Sequence, residues 1–161
     1  LTPSRFIAAG FGVGFFPVAP GTAGSLLGLA VGAALLWVSP FLLAGVTLAM
    51  AFGGMPVVGR AVGIGVRPLG AGQGDHPDPG WVVLDEIAGQ CLALLALPRP
   101  SWAGVALAFA LFRMLDIAKP GPIGWADRQG GAWGIMADDL IAGFLACLLV
   151  GVAHVRWPEI V

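Results

Sequence analysis

Residues 82–97 read VVLDEIAGQCLALLAL: two adjacent carboxylates, Asp85 and Glu86, followed directly by an apolar run of helical length. Carboxylates suit a helix N-terminus, where free backbone N–H groups and the macrodipole favour negative charge. That accounts for one acid cheaply, but not for a pair set against a run with no further charge before Arg99. Four more apolar runs lie around this one: residues 23–38, closed by Ser39-Pro40; 41–58; 101–118, ahead of Lys119-Pro120; and 139–155. Crossing roughly 30 Å of hydrocarbon takes about 20 helical residues. Several runs are shorter, and span with polar ends in the interface or in locally thinned bilayer. The run that Asp85 and Glu86 open is the weakest span. It also reads as partly re-entrant, a course tolerated where protein buries the segment.

Composition supports a membrane class. Hydrophobic residues make up 58% of the 161 and charged residues 11%, with a mean hydropathy of +0.90. Soluble domains carry about 25% charge, and a soluble chain of this length cannot hide so much apolar surface, so lipid must cover part of it. The predicted fold is an all-α polytopic membrane helix bundle of about five apolar helices, some short or partly re-entrant, forming a single domain over residues 1–161. A formal net charge of −1 argues against a nucleic-acid partner, which calls for a basic patch. Cys91 and Cys147 stand isolated in apolar runs, and read as buried small residues rather than as zinc ligands. Residues 1–21 lack the basic segment followed by an apolar stretch that marks a cleavable signal.

Threading the five runs across a bilayer brings eight of the nine acids to one side. These are Asp75, Asp78, Asp85, Glu86, Asp116, Asp127, Asp138 and Asp139, while Glu159 lies near the end of the sequence. Arg5, Arg60, Arg67, Arg113, Lys119 and Arg128 share that side, and only Arg99 and Arg156 fall on the other. The positive-inside rule makes the crowded side cytoplasmic. Glycines in the runs, among them Gly24, Gly28, Gly32, Gly89, Gly104 and Gly143, permit close helix packing.

Three constellations carry chemistry. Asp85-Glu86 opens the third run. Arg113-x-x-Asp116-x-x-Lys119 closes the fourth, its spacing of three placing all three residues near one helix face. An Arg and an Asp inside an apolar run are costly, and mark a site more often than a structural ion pair. Asp138-Asp139 is expected to open the fifth run. Acids from separate helix ends form an oxygen-ligand set for a hard cation, and Mg²⁺ favours carboxylate, water and phosphate oxygens. Cations beside them, Arg113 and Lys119, suit a phosphate. Asp127 and Arg128, in the loop between, read equally as solvated charges. The Gly- and Pro-rich segment 10–22 ends in Pro20-Gly21-Thr22, where Thr22 serves either as an N-cap or beside a phosphate. His76, in a turn-rich stretch, reads as solvated. The tryptophans suit interfacial anchoring.

With these residues in place, the chain resembles the phosphatidylglycerophosphatase A family. The resemblance runs through four ordered blocks: GFGVGFFPVAPGTAGS (10–25), PGWVVLDEIAG (79–89), FRMLDIAKPGPIGWAD (112–127) and GGAWGIMADDLIAG (130–143). It implies a Mg²⁺-dependent phosphatase of the bacterial inner membrane that converts the phospholipid phosphatidylglycerophosphate to phosphatidylglycerol, with membrane lipid around it and no obligate protein partner. The family's acidic positions carry over to Asp85, Glu86, Asp116, Asp127, Asp138 and Asp139. Arg113 and Lys119 become the phosphate-facing cations, with Thr22 a phosphate neighbour and Arg128 a further substrate contact. The expected metal ligands are Asp85, Glu86, Asp116, Asp138 and Asp139. Asp85, then Asp139, is the expected base or nucleophile. The competing class is a small transporter or channel that uses the acids as an ion site. The middles of the runs are nearly free of ionisable groups, which favours a surface site instead.

Overall fold

The computed structural model describes residues 2–64 and 79–161. Asp75, His76, Asp78 and Arg67 lie outside these residues. The described chain is helical, without strands: α1 (Pro3–Ala8), a 3₁₀ segment (Gly10–Phe15), α2 (Pro20–Val38), α3 (Pro40–Val62), α4 (Leu84–Leu94), α5 (Trp102–Ala118), α6 (Pro122–Asp127) and α7 (Gly131–Arg156). Among the described residues, three helices are long and apolar enough to cross a membrane: α2, α3 and α7. Their outer faces are exposed among the described residues. Phe41 is 87% exposed and Phe52 73%, surface that water would penalise and lipid would not.

Local backbone and capping groups set both ends of α3 and the start of α5. Ser39 is extended, and its Oγ accepts from the backbone N–H of Phe41 (3.2 Å) and Leu42 (3.4 Å), capping α3 as the chain reverses. Gly63 closes α3 in the left-handed region at φ 77°. Ser101 caps α5 through Gly104 N–H at 3.0 Å, and its hydroxyl donates to the Val161 carbonyl, also at 3.0 Å.

The short helix α4 is the centre of the bundle. Eleven residues rise only about 16 Å, too little to span, but nine of them are buried. Protein therefore encloses the segment, as a re-entrant helix requires. Two glycine contacts allow this. Gly24, Gly28 and Gly32 line one stripe of α2 at intervals of four. An added Cβ would come within 2.6 Å of Val83, 2.9 Å of the Ile87 backbone and 2.7 Å of Leu94 respectively. On the opposite side, Gly143 of α7 lies against the backbone of Gly89. Leu94, Leu97, Phe112, Ala142, Ala146 and Val150 fill the core beneath.

The structure departs from the sequence reading at two helix starts. The last long helix begins at Gly131, not at the acidic pair, so Asp138 and Asp139 lie two turns inside it. Thr22 is not an N-cap: α2 starts at Pro20, after Ala19 in the left-handed region at φ 50°. Helices α1 and α6, six residues each, add to the five expected runs.

Candidate metal and phosphate site

Asp85 and Glu86 occupy the first turn of α4. Asp85 Oδ1 accepts the Glu86 backbone N–H at 3.0 Å, the local role expected of an acid at a helix start. Glu86 turns toward the start of α2, where its Oε1 crowds Gly21 so closely that a Cβ there would have to displace the carboxylate. Successive helical residues point about 100° apart, and this separates the two acids of α7. Asp139 faces α4, while Asp138 faces the end of α5. Asp85, Glu86 and Asp139 each place a carboxylate oxygen within 4.8 Å of the others, with Asp85 and Asp139 buried and Glu86 half-buried. This buried acidic cluster can hold a metal ion.

The energetics favour neutralisation of the cluster, by a cation or by protons. Two unit charges about 5 Å apart repel by roughly 3 kcal/mol at an effective dielectric near 20. Three carboxylates at this spacing need a cation or protons. Glu86 Oε2 and Asp139 Oδ1 are buried without a hydrogen-bond partner among the described residues. Unpartnered buried oxygens of this kind suit a hard, oxygen-seeking ion.

Asp116, on the last turn of α5, abuts the Asp139 carboxyl. Its Oδ2 pairs with Arg113 Nη1. The same guanidinium donates to Ser25 Oγ (3.3 Å, Nη1) and Thr22 Oγ1 (3.4 Å, Nη2) on α2. Ser25 Oγ in turn donates to the Gly21 carbonyl at 2.8 Å. Arg113 therefore joins α5 to α2 beside the acidic cluster. The sequence reading missed Ser25 and Gly21 as site residues. Ser25 is three residues after Thr22, on the neighbouring edge of one helix face, and that spacing was the available signal.

Lys119 ends α5 in the left-handed region at φ 45°. Its Nζ sits between Asp127 Oδ1 of α6 and Asp138 Oδ2 of α7, the latter at 2.8 Å. Burial alone would lower the Lys119 ammonium, but the hydrogen bonds and charges of Asp127 and Asp138 outweigh it and hold the group above its ordinary value of 10.5. Asp138 and Asp127 thus belong with Lys119, next to the three-carboxylate cluster rather than in it. Arg128 stands exposed at the end of α6, its guanidinium against Gly124, outside both groups.

The site residues come from the four sequence blocks, and comparison with known proteins matches a stretch that contains all four. The phosphatidylglycerophosphatase A family model matches residues 6–154. The chain is 35% identical to the phosphatidylglycerophosphatase A of Escherichia coli over 97% of its own length and 86% of the relative's. It is 38% identical to that of Haemophilus influenzae, over 93% and 88%. It is 40% identical to a putative phosphatidylinositol-3-phosphatase of Bacteroides thetaiotaomicron, over 94% and 92%. No solved structure matches it. With a family model covering nearly its whole length, this chain belongs to the phosphatidylglycerophosphatase A family of phosphatases.

Proposed function

We propose that the chain, acting as a single unit, hydrolyses the terminal phosphate monoester of phosphatidylglycerophosphate, giving phosphatidylglycerol and inorganic phosphate at the cytoplasmic face of a bacterial inner membrane. One observation carries this reading: three clustered carboxylates, with Glu86 Oε2 and Asp139 Oδ1 buried without a hydrogen-bond partner among the described residues, lie beside a guanidinium held by two hydroxyls, all at one end of apolar helices. The placement suits a substrate whose phosphate stays in water while its acyl chains lie in lipid. A transporter fits less well, since α2 has no ionisable residue and α3 only Arg60, near its end.

Glu86, Asp139 and Asp85 would hold Mg²⁺, with Asp116 beside them and Asp138 completing the acidic surround. When bound, Mg²⁺ supplies positive charge against the phosphate oxygens as negative charge builds on them. Arg113 presents a planar fork to a phosphate, and Asp116, Thr22 and Ser25 fix its orientation in advance. Asp85 is the first choice for the group that either takes a proton from attacking water or itself attacks phosphorus, and Asp139 the second. Asp127 and Lys119 stand at the edge of the site. The direct test is phosphate release by the purified protein in lipid micelles. We expect turnover of phosphatidylglycerophosphate that stops when Mg²⁺ is chelated. Turnover of phosphatidylinositol 3-phosphate alone would move the assignment to the other named relative's substrate. Turnover of neither lipid would remove the phosphatase reading.

Two substitutions probe the site's edges. In Gly21→Ala, the new Cβ meets the end of a flexible side chain, Glu86 Oε1, so the carboxylate swings away and the helix stays. Activity should fall about tenfold or more with an unchanged melting temperature. Normal activity would show that the position of Glu86 does not matter. Lys119→Ala should lower kcat/KM by about tenfold, and by the same factor from pH 8 to about 10. A group whose folded pKa is raised keeps its ion-pair contribution throughout the range below its ordinary value and loses it only as pH climbs through the raised one. A pH–rate profile in which the wild type loses its advantage over the variant between pH 8 and about 10 would contradict this.

A further inference from the structure

A groove of about 510 Å³ runs between the 3₁₀ segment and the outer side of α2, lined by Val13, Phe15, Phe16, Pro17, Ala23 and Leu26. Its volume is in the range of small-molecule sites, about 300–1,000 Å³. Its position on α2 tells what it takes. Leu26 is four residues after Thr22, so it lies one turn along the same stripe. Thr22 Oγ1 is the hydroxyl that receives Arg113 Nη2. The apolar groove and the phosphate-facing group are therefore consecutive along one helix face, polar end toward the carboxylates.

The groove's wall is held in shape. Phe15 stacks on Trp81, centroids 6.0 Å apart and planes 26° from parallel, and Arg5 lies over the same indole at 4.8 Å. Gly14 packs directly on the Trp81 carbonyl, leaving no space for a Cβ. Phe11 at φ 58° and Ala19 at φ 50°, on either side of the wall, sit in the left-handed region despite having side chains. That conformation is unfavourable for a residue with a Cβ, and surrounding contacts must impose it.

We propose that this groove binds an acyl chain of the lipid substrate, so that the chain recognises its substrate at both ends: phosphate at Arg113 and Thr22, hydrocarbon at Ala23 and Leu26. The proposal rests on the phosphatase reading above. Leu26 is exposed, so Leu26→Trp fills the groove without entering the core. With a dioleoyl substrate, kcat/KM should fall about tenfold, mainly through KM. With a dibutyryl analogue bearing the same headgroup, it should change less than about twofold, because only the lost remote contact differs. Equal losses on both substrates, or none on either, would overturn the groove assignment while leaving the phosphatase reading in place. A second measurement does not need turnover: photolabelling with phosphatidylglycerophosphate carrying a diazirine in one acyl chain. Labelling within residues 12–26, lost in Leu26→Trp and stronger than that from a neutral diacyl lipid of the same chain, supports the groove even if no phosphate is released. Labelling elsewhere, or equal labelling by the neutral lipid, makes the groove ordinary lipid-facing surface.

Discussion

Asp139→Asn is expected to lower phosphate release by about a thousandfold or more, while the metal-free protein melts no lower than the wild type. The two halves of this result come from one arrangement. Asp139 is 3% exposed, shares the cluster with Asp85 and Glu86, abuts Asp116, and leaves one oxygen without a partner among the described residues. Removing its charge relieves repulsion of roughly 3 kcal/mol per neighbour at most, which favours the fold. The same change removes an oxygen that a hard cation would use. Most buried substitutions destabilise, so a variant that is inactive and equally or more stable is diagnostic of a site. A lower melting temperature with activity retained would make Asp139 a structural residue.

Gly143→Val should damage both folding and turnover. The Gly143 Cα lies on the Gly89 backbone, with Gly89 C and Cα each 2.9 Å from where a Cβ would stand. The obstacle is main chain and cannot rotate aside. Overpacking of this kind costs about 3 kcal/mol, or a melting temperature lower by about 6–12 °C for a chain of this size. The site is affected as well, because Gly143 is one turn below Asp139 and Gly89 one turn below Asp85 and Glu86. This crossing sets the gap between the carboxylates of α7 and α4. Gly53→Ala serves as the control: nothing lies within 4 Å of its added Cβ, and stability should hold or rise, since alanine outranks glycine in a helix by about 1 kcal/mol. Equal melting temperatures for the two variants would refute the close crossing.

Much of this was legible in the sequence, because polar groups in a greasy chain are few and costly. The spacing of Arg113, Asp116 and Lys119 put them near one end of α5, and threading the apolar runs put that end beside Asp85 and Glu86. The class of fold followed from the same runs. What the sequence did not reveal was rotation and local backbone. Asp138 and Asp139 are neighbours in the chain but face different partners, and hydropathy cannot say which way each points. The start of α7 was hidden because Gly130, Gly131 and Gly134 read as a loop, although tertiary packing of the buried 131–137 stretch overrides their poor helix propensity. Helix α6 is six residues long, too short for a periodic signal. Lys119, just before a proline, was expected to leave the helix. Its left-handed backbone, which aims Nζ between Asp127 and Asp138, could not be read from that rule.

The central claim is that carboxylates from α4 and α7 converge on one cation pocket, and Mn²⁺ binding followed by electron paramagnetic resonance tests it most directly. The wild-type protein in micelles should take up Mn²⁺ saturably and release it to Mg²⁺, and the double variant Glu86→Gln/Asp139→Asn, still folded, should take up none. Equal uptake by the wild type and the double variant, or no saturable uptake by the wild type, would contradict the account.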